Sequence, residues 1–327
     1  MTLSVHLLRR PDPASLARLR DSLDPEVRLT AGPDLPVPAN YQILVADRPQ
    51  REHLAASPDL RALIIPFAGL PETTRDLLLG DFSHLAVHNL HYNAVPVAEM
   101  ALALMLAAAK FVVPIDRALR AHDWTPRYRP NPSVFLDGKT ALILGYGAIG
   151  RRVAHLCRAL GMRVTAVRRR VAAPPLDVPD EVYPPDALHS LLPQADVLFI
   201  CLPHTSETTG LIGQGELALL PPRALLVNVG RGPIVDEAAL YHALRDGTLH
   251  AAGLDVWYDY PADKAARSHT PPSAYPFHEL DNVVMSPHRA AHFDDREMLR
   301  ATHLAELLNA AARGQDMPNR VDVAAGY

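Results

Sequence analysis

The sequence predicts an α/β protein with two parallel-sheet domains, the larger of them doubly wound, and three observations carry that expectation. An apolar run at 142–144 ends in Gly145, Gly147 and Gly150 at G-x-G-x-x-G spacing, after which Ile149, Val153, Leu156, Cys157 and Leu160 recur at helical period. Short apolar runs alternate with helical patterns without interruption from about residue 140 to 285. A shorter alternation of the same kind opens the chain.

In chain order, residues 4–8, 41–45 and 62–65 read as short strands, with a helical pattern at 13–23 between the first two, and the apolar 85–87 comes later. The third strand runs into Pro66-Phe67-Ala68-Gly69-Leu70-Pro71, which suits either a loop turning backbone N–H groups to a ligand or a plain strand-to-helix turn. A polar stretch, 88–93, leads into a helix expected at 95–111 that is apolar on nearly every side apart from Glu99. Such a helix belongs between domains or in a subunit interface. The segment 112–139, with Trp124, Tyr128 and several prolines, reads as an irregular arm.

The second alternation gives strands at 140–144, 163–167, 196–202, 224–229, 251–256 and 282–285, and helices at 148–160, 215–220 and 237–245. Around a glycine loop this is a doubly wound Rossmann domain. A last helix at 298–312 crosses back, so the expected division is a discontinuous, flavodoxin-like α/β domain of 1–97 and 293–327, and a dinucleotide-binding domain of 98–292.

Composition bounds the function. A length of 327 residues with 48% hydrophobic and 21% charged side chains suffices for two cores, and a net charge of −4 gives no reason to expect nucleic acid. The start of the chain lacks a basic segment followed by a long apolar one, and the longest apolar run, 100–109, is far short of a membrane span. A cytoplasmic protein is expected. Cys157 and Cys201 sit in apolar surroundings and read as core fillers, and no metal is expected.

The glycines have separate tasks: Gly145 permits the tight turn, Gly147 lets backbone approach a pyrophosphate, and Gly150 lets the helix pack on the strand, its N–H groups facing phosphate. Ligands in open α/β sheets lie beyond the carboxyl ends of the strands. There, Arg231 stands between Gly230 and Gly232, suited to grip a carboxylate with both edges of its fork. At the end of the last strand His288 follows Pro287 and is a candidate acid/base.

These residues make the chain similar to the D-isomer-specific 2-hydroxyacid dehydrogenases, the family of D-lactate, glycerate, phosphoglycerate and formate dehydrogenases and glyoxylate/hydroxypyruvate reductases. The likeness runs through Asn93–Glu99, Gly145–Gly150, Leu202–Thr209, Asn228–Glu237, Gly253–Trp257, Ser286–His288 and the closing 319–327. It implies hydride transfer between a nicotinamide cofactor and a small 2-oxo or 2-hydroxy acid, with Arg231 holding the substrate carboxylate and polarising its carbonyl while His288 exchanges the proton. It implies substrate contacts from Ala68, Gly69 and Asn93. Cofactor contacts are implied for the three glycines with Ala148 and Ile149, for Leu202, Pro203 and Thr208, and for Asp255 and the carbonyl of Val229 at the nicotinamide amide. A homodimer around the apolar helix is implied as well.

Two positions depart from the family's pattern. Five residues after Asp255 most members carry a Glu that keeps the catalytic histidine charged; here Tyr260 stands in its place, with Asp259 and Asp263 as alternative partners. At the end of strand 163–167, where NAD-using members carry an acid for the ribose hydroxyls, this chain reads Arg168-Arg169-Arg170. Guanidinium groups there favour a 2′-phosphate, so NADP(H) is expected, with NAD(H) the alternative should the cluster be a solvated turn. The altered dyad leaves two other readings open: a dinucleotide-responsive, corepressor-like interaction protein, and formate-dehydrogenase-like chemistry.

Overall fold

The computed structural model describes residues 2–169 and 181–327, which form two compact units: the chain up to Asn93 with His292–Tyr327, and Ala94–Ala291. The first boundary falls ahead of the apolar helix, so that the whole helix goes with the second unit, whereas a boundary at 97/98 divides its first turn from the rest.

The first unit runs β1 (Leu3–Leu7), α1 (Pro13–Ser22), β2 (Val27–Ala31), β3 (Ile43–Val45), α2 (Arg51–Ala55), β4 (Ala62–Ile65), α3 (Glu72–Leu79) and β5 (Ala86–Asn89). The strands form one parallel sheet in the order β2-β1-β3-β4-β5. β3 and β4 are buried throughout, as strands covered on both faces must be. Alternate residues serve opposite layers: Ile43 and Val45 join Val5 and Leu7 of β1 on one face, while Leu44, Leu63 and Ile65 pack with Leu54 and Leu78 on the other.

At the start of α1 the Asp12 side chain accepts the Ser15 N–H at 3.0 Å and Pro13 occupies the first turn, where its missing N–H costs nothing. β2 is an element that the sequence pattern does not announce. It is an edge strand of alternating burial, and Val27, Leu29 and Ala31 alternate with polar residues in a run short enough to pass for a loop.

The second unit runs α4 (Ala94–Ala109), α5 (Val112–Arg120), β6 (Thr140–Leu144), α6 (Ala148–Ala159), β7 (Arg163–Val167), β8 (Glu181–Tyr183), α7 (Leu188–Leu191), β9 (Val197–Ile200), α8 (Gln214–Leu219), β10 (Leu225–Asn228), α9 (Glu237–Arg245), β11 (Ala251–Leu254) and β12 (Val283–Met285). Its seven strands are all parallel, in the order β12-β11-β10-β9-β6-β7-β8. α10 (Arg296–Ala312) then returns to the first unit, where it packs beside α1 and buries Leu304, Leu307 and Leu308.

α4 and α6 cover one face of the seven-stranded sheet and α7 to α9 the other. The apolarity of α4 is explained within its own unit: Val97, Ala101, Leu104, Met105 and Ala108 are buried against the sheet. A Cβ on Gly253 of β11 would lie 2.7 Å from Leu104, so the glycine is what lets the helix settle there. Among the described residues no single helix is long and apolar enough to cross a membrane. The segment expected to be irregular from residue 112 contains a helix, α5. It follows a left-handed Phe111 (φ 52°) and carries Pro114 within its first turn, where proline is tolerated, so proline content is a poor guide to this segment.

Both cysteines are free, and burial pushes each thiol up to about 12, as unreactive core side chains require.

Candidate active site

The strand order of the second sheet reverses between β6 and β9, and the loops beyond those two strands meet. Gly145 leaves β6 with φ 97°, and a Cβ there would lie 2.8 Å from the Cys201 carbonyl beyond β9. A Cβ on Gly150 would lie 2.2 Å from the Gly145 oxygen, so α6 can pack on its strand only through glycine. Gly147 differs: its φ is −97° and a Cβ would meet nothing within 4 Å. Among the described residues nothing demands glycine at 147, which leaves the space above it for a ligand. No side chain caps α6, so the backbone N–H groups of its first turn, at Ala148, Ile149 and Gly150, remain to be matched by an anion. The loop fits the pyrophosphate of a dinucleotide.

Past β7, Arg168 is half-buried and donates its backbone N–H to the Tyr183 carbonyl at 3.0 Å, while Arg169 lies 3.8 Å from the Glu207 carboxylate. Both positions are therefore cationic where an acid would receive ribose hydroxyls; Arg170 lies outside the described residues. Beyond β9, the Thr208 hydroxyl donates to the Pro203 carbonyl at 2.8 Å and accepts the Thr205 N–H at 2.8 Å, closing the 203–208 loop on itself. The Leu202 carbonyl of that loop lies where a Cβ on Gly230 would come within 2.7 Å.

Arg231 is held by its surroundings more closely than the sequence discloses. A Cβ on Gly232 would lie 2.3 Å from the Trp257 carbonyl, so both glycines beside Arg231 admit neighbouring backbone. The Asn228 side chain, 1% exposed, donates to the Arg231 carbonyl at 3.0 Å and accepts the Gly230 N–H at 3.0 Å. Arg231 Nη1 donates to the Gly230 carbonyl at 2.7 Å, which fixes one corner of an exposed guanidinium. Val229, between these, is buried. Sequence reasoning gives Asn228 no task beyond membership of its motif; its position one residue before the Val-Gly-Arg-Gly run is the signal that could have found it.

His288 has φ 55°, a left-handed conformation that costs a side-chain-bearing residue about 1 kcal/mol or more. Asp255 holds it there. This carboxylate, 1% exposed, accepts from the Ser286 hydroxyl at 2.5 Å, the Arg289 N–H at 2.8 Å and the Ala290 N–H at 3.0 Å, bracketing His288 on both sides. Trp257 adds a fourth tie through its indole N–H to the Ser286 carbonyl at 2.8 Å. Three of the roughly four acceptor positions on the Asp255 carboxylate are thus engaged.

Tyr260 lies beside the histidine. Its hydroxyl is 3.0 Å from His288 Nδ1 and accepts the Trp257 backbone N–H at 3.1 Å, and the two ring centres are 5.6 Å apart. Partial burial pushes the phenol up; the nearby Arg231 opposes that shift and Asp255 adds to it. Arg231, His288, Tyr260 and Asp255 therefore share one electrostatic neighbourhood within the second unit. Asp263 is instead engaged with the Ala266 N–H at 2.9 Å.

In the first unit, Ala68 and Gly69 lie on the turn after β4, with Gly69 at φ 96°. Asn93 closes the unit, and its side-chain oxygen is buried without a hydrogen-bond partner among the described residues, an acceptor waiting for a donor.

Comparison with known proteins gives concordant results. Residues 102–290 match the model of the family described as D-isomer specific 2-hydroxyacid dehydrogenase, NAD binding domain. The chain is 34% identical to a D-3-phosphoglycerate dehydrogenase of Mycobacterium bovis over 322 residues, covering 96% of this chain and 58% of that protein. It is 40% identical to a glyoxylate reductase of Aeropyrum pernix over 234 residues, 69% of this chain and 65% of the reductase. The chain thus spans less than two thirds of the length of either. A crystal structure of a D-isomer specific 2-hydroxyacid dehydrogenase from Xanthobacter autotrophicus, in complex with NADPH and MES, superposes with a TM-score of 0.79 over the whole of both chains at 23% identity, a likeness of fold.

Proposed function

The chain belongs to the D-isomer-specific 2-hydroxyacid dehydrogenases, and on that premise we propose that it transfers a hydride between a nicotinamide dinucleotide and C2 of a small 2-oxo or 2-hydroxy acid, working as a 2-oxo acid reductase. The observation that carries this reading is the Tyr260–His288 pair, held by the Trp257 backbone that lies against Gly232, the residue next to Arg231.

The glycine loop and the first turn of α6 hold the pyrophosphate, and Arg168 and Arg169 take a 2′-phosphate, so that NADP(H) is preferred and NAD(H) is the lesser cofactor. Leu202, Pro203 and Thr208 flank the dinucleotide. The Val229 carbonyl and the remaining acceptor position of Asp255 hold the nicotinamide amide. When bound, the nicotinamide supplies or receives the hydride.

The protein's own residues handle charge and the proton. Arg231 binds the carboxylate and opposes negative charge growing on the C2 oxygen. Tyr260 occupies His288 Nδ1, which assigns the exchanged proton to Nε2. The hydroxyl then accepts from Nδ1–H in both protonation states, because the neutral ring left after transfer keeps its proton on Nδ1. Ala68 and Gly69 offer backbone N–H groups to the substrate, and Asn93 makes a further contact with it. The reading extends to a homodimer, supported by exposed Val112, Ile115 and Leu119 on α5 and by Trp124 and Tyr128 after it, apolar surface that a second copy would cover.

The test is oxidation of NADPH by the purified chain against a panel of 2-oxo acids that includes glyoxylate and hydroxypyruvate. Turnover with at least one is expected, giving the D-enantiomer where the product is chiral. Dinucleotide binding without turnover on any of them would instead favour an interaction protein.

A further inference from the structure

Tyr260 meets His288, yet burial does little to place it. Packing holds its turn at Trp257 and Tyr258, which join the apolar layer under α7 to α9, and stops there. Tyr260 itself is 47% exposed, and residues 261–265 after it are exposed as well. A segment with so few buried contacts depends on its hydrogen bonds.

Those bonds lead away from the site along one path. The backbone N–H groups of Tyr258 and Asp259 share a single acceptor, the Pro272 carbonyl, at 3.2 and 3.0 Å. That carbonyl belongs to the same planar peptide as the Ser273 nitrogen, so whatever fixes Ser273 also orients it. Glu237 does this: its Oε1 accepts the Ser273 hydroxyl at 2.6 Å and the Ala274 N–H at 2.9 Å. Pro271 and Pro272 come just before, and their locked φ leaves the path few soft dihedrals. A second tie runs from the Tyr258 hydroxyl to the Val235 carbonyl at 2.9 Å. Burial, with the charges of Glu237 and Asp236, pushes that phenol up, so it remains a donor.

The helix that carries Glu237 has its cap from another residue. Glu237 opens α9, where an acid suits the helix dipole, but Asp236 supplies the cap by accepting the Ala239 N–H at 2.8 Å. We infer that Glu237 is a positioning residue for the proton donor: through Ser273, the Pro272 carbonyl and the 257–260 turn it holds the Tyr260 hydroxyl at His288 Nδ1. Its part in proton transfer rests on the reductase reading above, whereas the chain of hydrogen bonds stands without it. The role calls for an acceptor oxygen at 237 rather than a charge, and an amide oxygen can also accept from two donors.

The test is the titration of the His288 ring, followed by NMR on the full chain with labelled histidine, its resonance identified by loss in His288→Gln. The charged groups around the pair, Arg231, Asp255 and the adjacent Arg289, are the same in every variant compared. Tyr260→Glu should raise the midpoint by about one unit in the wild-type background and in Glu237→Gln, and by less than about half of that in Glu237→Ala. Glu237→Ala alone should lower kcat for 2-oxo acid reduction by about tenfold with cofactor Kd unchanged, and Glu237→Gln should restore most of it. A full rise in the Glu237→Ala background would overturn the inference, as would Glu237→Gln behaving like Glu237→Ala. No rise in the wild-type background would overturn it too, because Tyr260 would then not govern the ring. If Glu237→Ala does not fold, Ser273→Ala, which removes one of the two donors, takes its place with the same expected loss. Absence of turnover in the wild type would count against the reductase reading alone, and the midpoints would still decide what holds Tyr260.

Discussion

The Tyr260 hydroxyl lies 3.0 Å from His288 Nδ1 while accepting the Trp257 N–H at 3.1 Å, so that an uncharged group holds the ring where the family pattern places a carboxylate. A carboxylate there would accept from Nδ1–H in either state and favour the imidazolium by its charge. A phenol permits both protonation states and fixes the ring in each.

The glycine loop makes a prediction that separates folding from binding. Gly147→Ala adds a Cβ to open space, so thermal unfolding of the free protein should be close to wild type while dinucleotide affinity falls by about tenfold or more. Gly150→Ala places its Cβ 2.2 Å from the Gly145 oxygen and should cost about 1–3 kcal/mol of stability. Paired melting and binding measurements check both, and normal cofactor affinity in Gly147→Ala would contradict the phosphate assignment.

Asp255→Asn should destabilise the protein by about 1–3 kcal/mol, because an amide must turn a donor towards one of the three donors that the carboxylate now satisfies. Turnover should fall with it, since the 286–290 loop sets the unusual backbone of His288. A denaturant midpoint equal to that of the wild type would show that the loop holds without this carboxylate.

Arg231→Ala should lower kcat/KM by about a hundredfold or more, roughly 3 kcal/mol of transition-state stabilisation, with little change in cofactor Kd. Arg231→Lys should recover only part of the loss, because an ammonium lacks the planar fork. Near-normal turnover in the alanine variant would remove Arg231 from the chemistry.

NADPH should give a kcat/KM about tenfold or more above that with NADH, and Arg168→Asp should erase or reverse the ratio. Measured preference of the wild type for NADH would mean that Arg168 and Arg169 serve another purpose, such as the ion pair of Arg169 with Glu207.

The glycine loop, the parallel alternation and the strand-end positions of Arg231 and His288 are legible in the sequence because each leaves a local mark: fixed spacing, an apolar run, or a charge between glycines. The supports of the site are not. Asp255 reaches Ser286, Arg289 and Ala290 across about thirty residues of chain. Which residue meets His288 depends on the path of the 257–260 turn, and sequence spacing alone leaves Tyr260 and Asp259 in competition. α5 is hidden by Pro114 and by the absence of any buried side chain, and β2 by its place at a sheet edge.

The pH dependence of reduction tests the central claim most directly. Reduction needs His288 protonated at Nε2. Partial burial keeps the Tyr260 phenol protonated through the neutral range, so it adds no negative charge to favour the imidazolium. Reductive kcat/KM should therefore fall as rising pH removes the proton from this ring. Tyr260→Glu introduces that charge, raises the pKa of the ring and should move the fall upward by about one unit. The measurement is the pair of profiles for glyoxylate reduction, taken after cofactor binding by the variant has been verified. An upward shift supports Tyr260 as the group that tunes the proton donor, whereas superimposable profiles would contradict it.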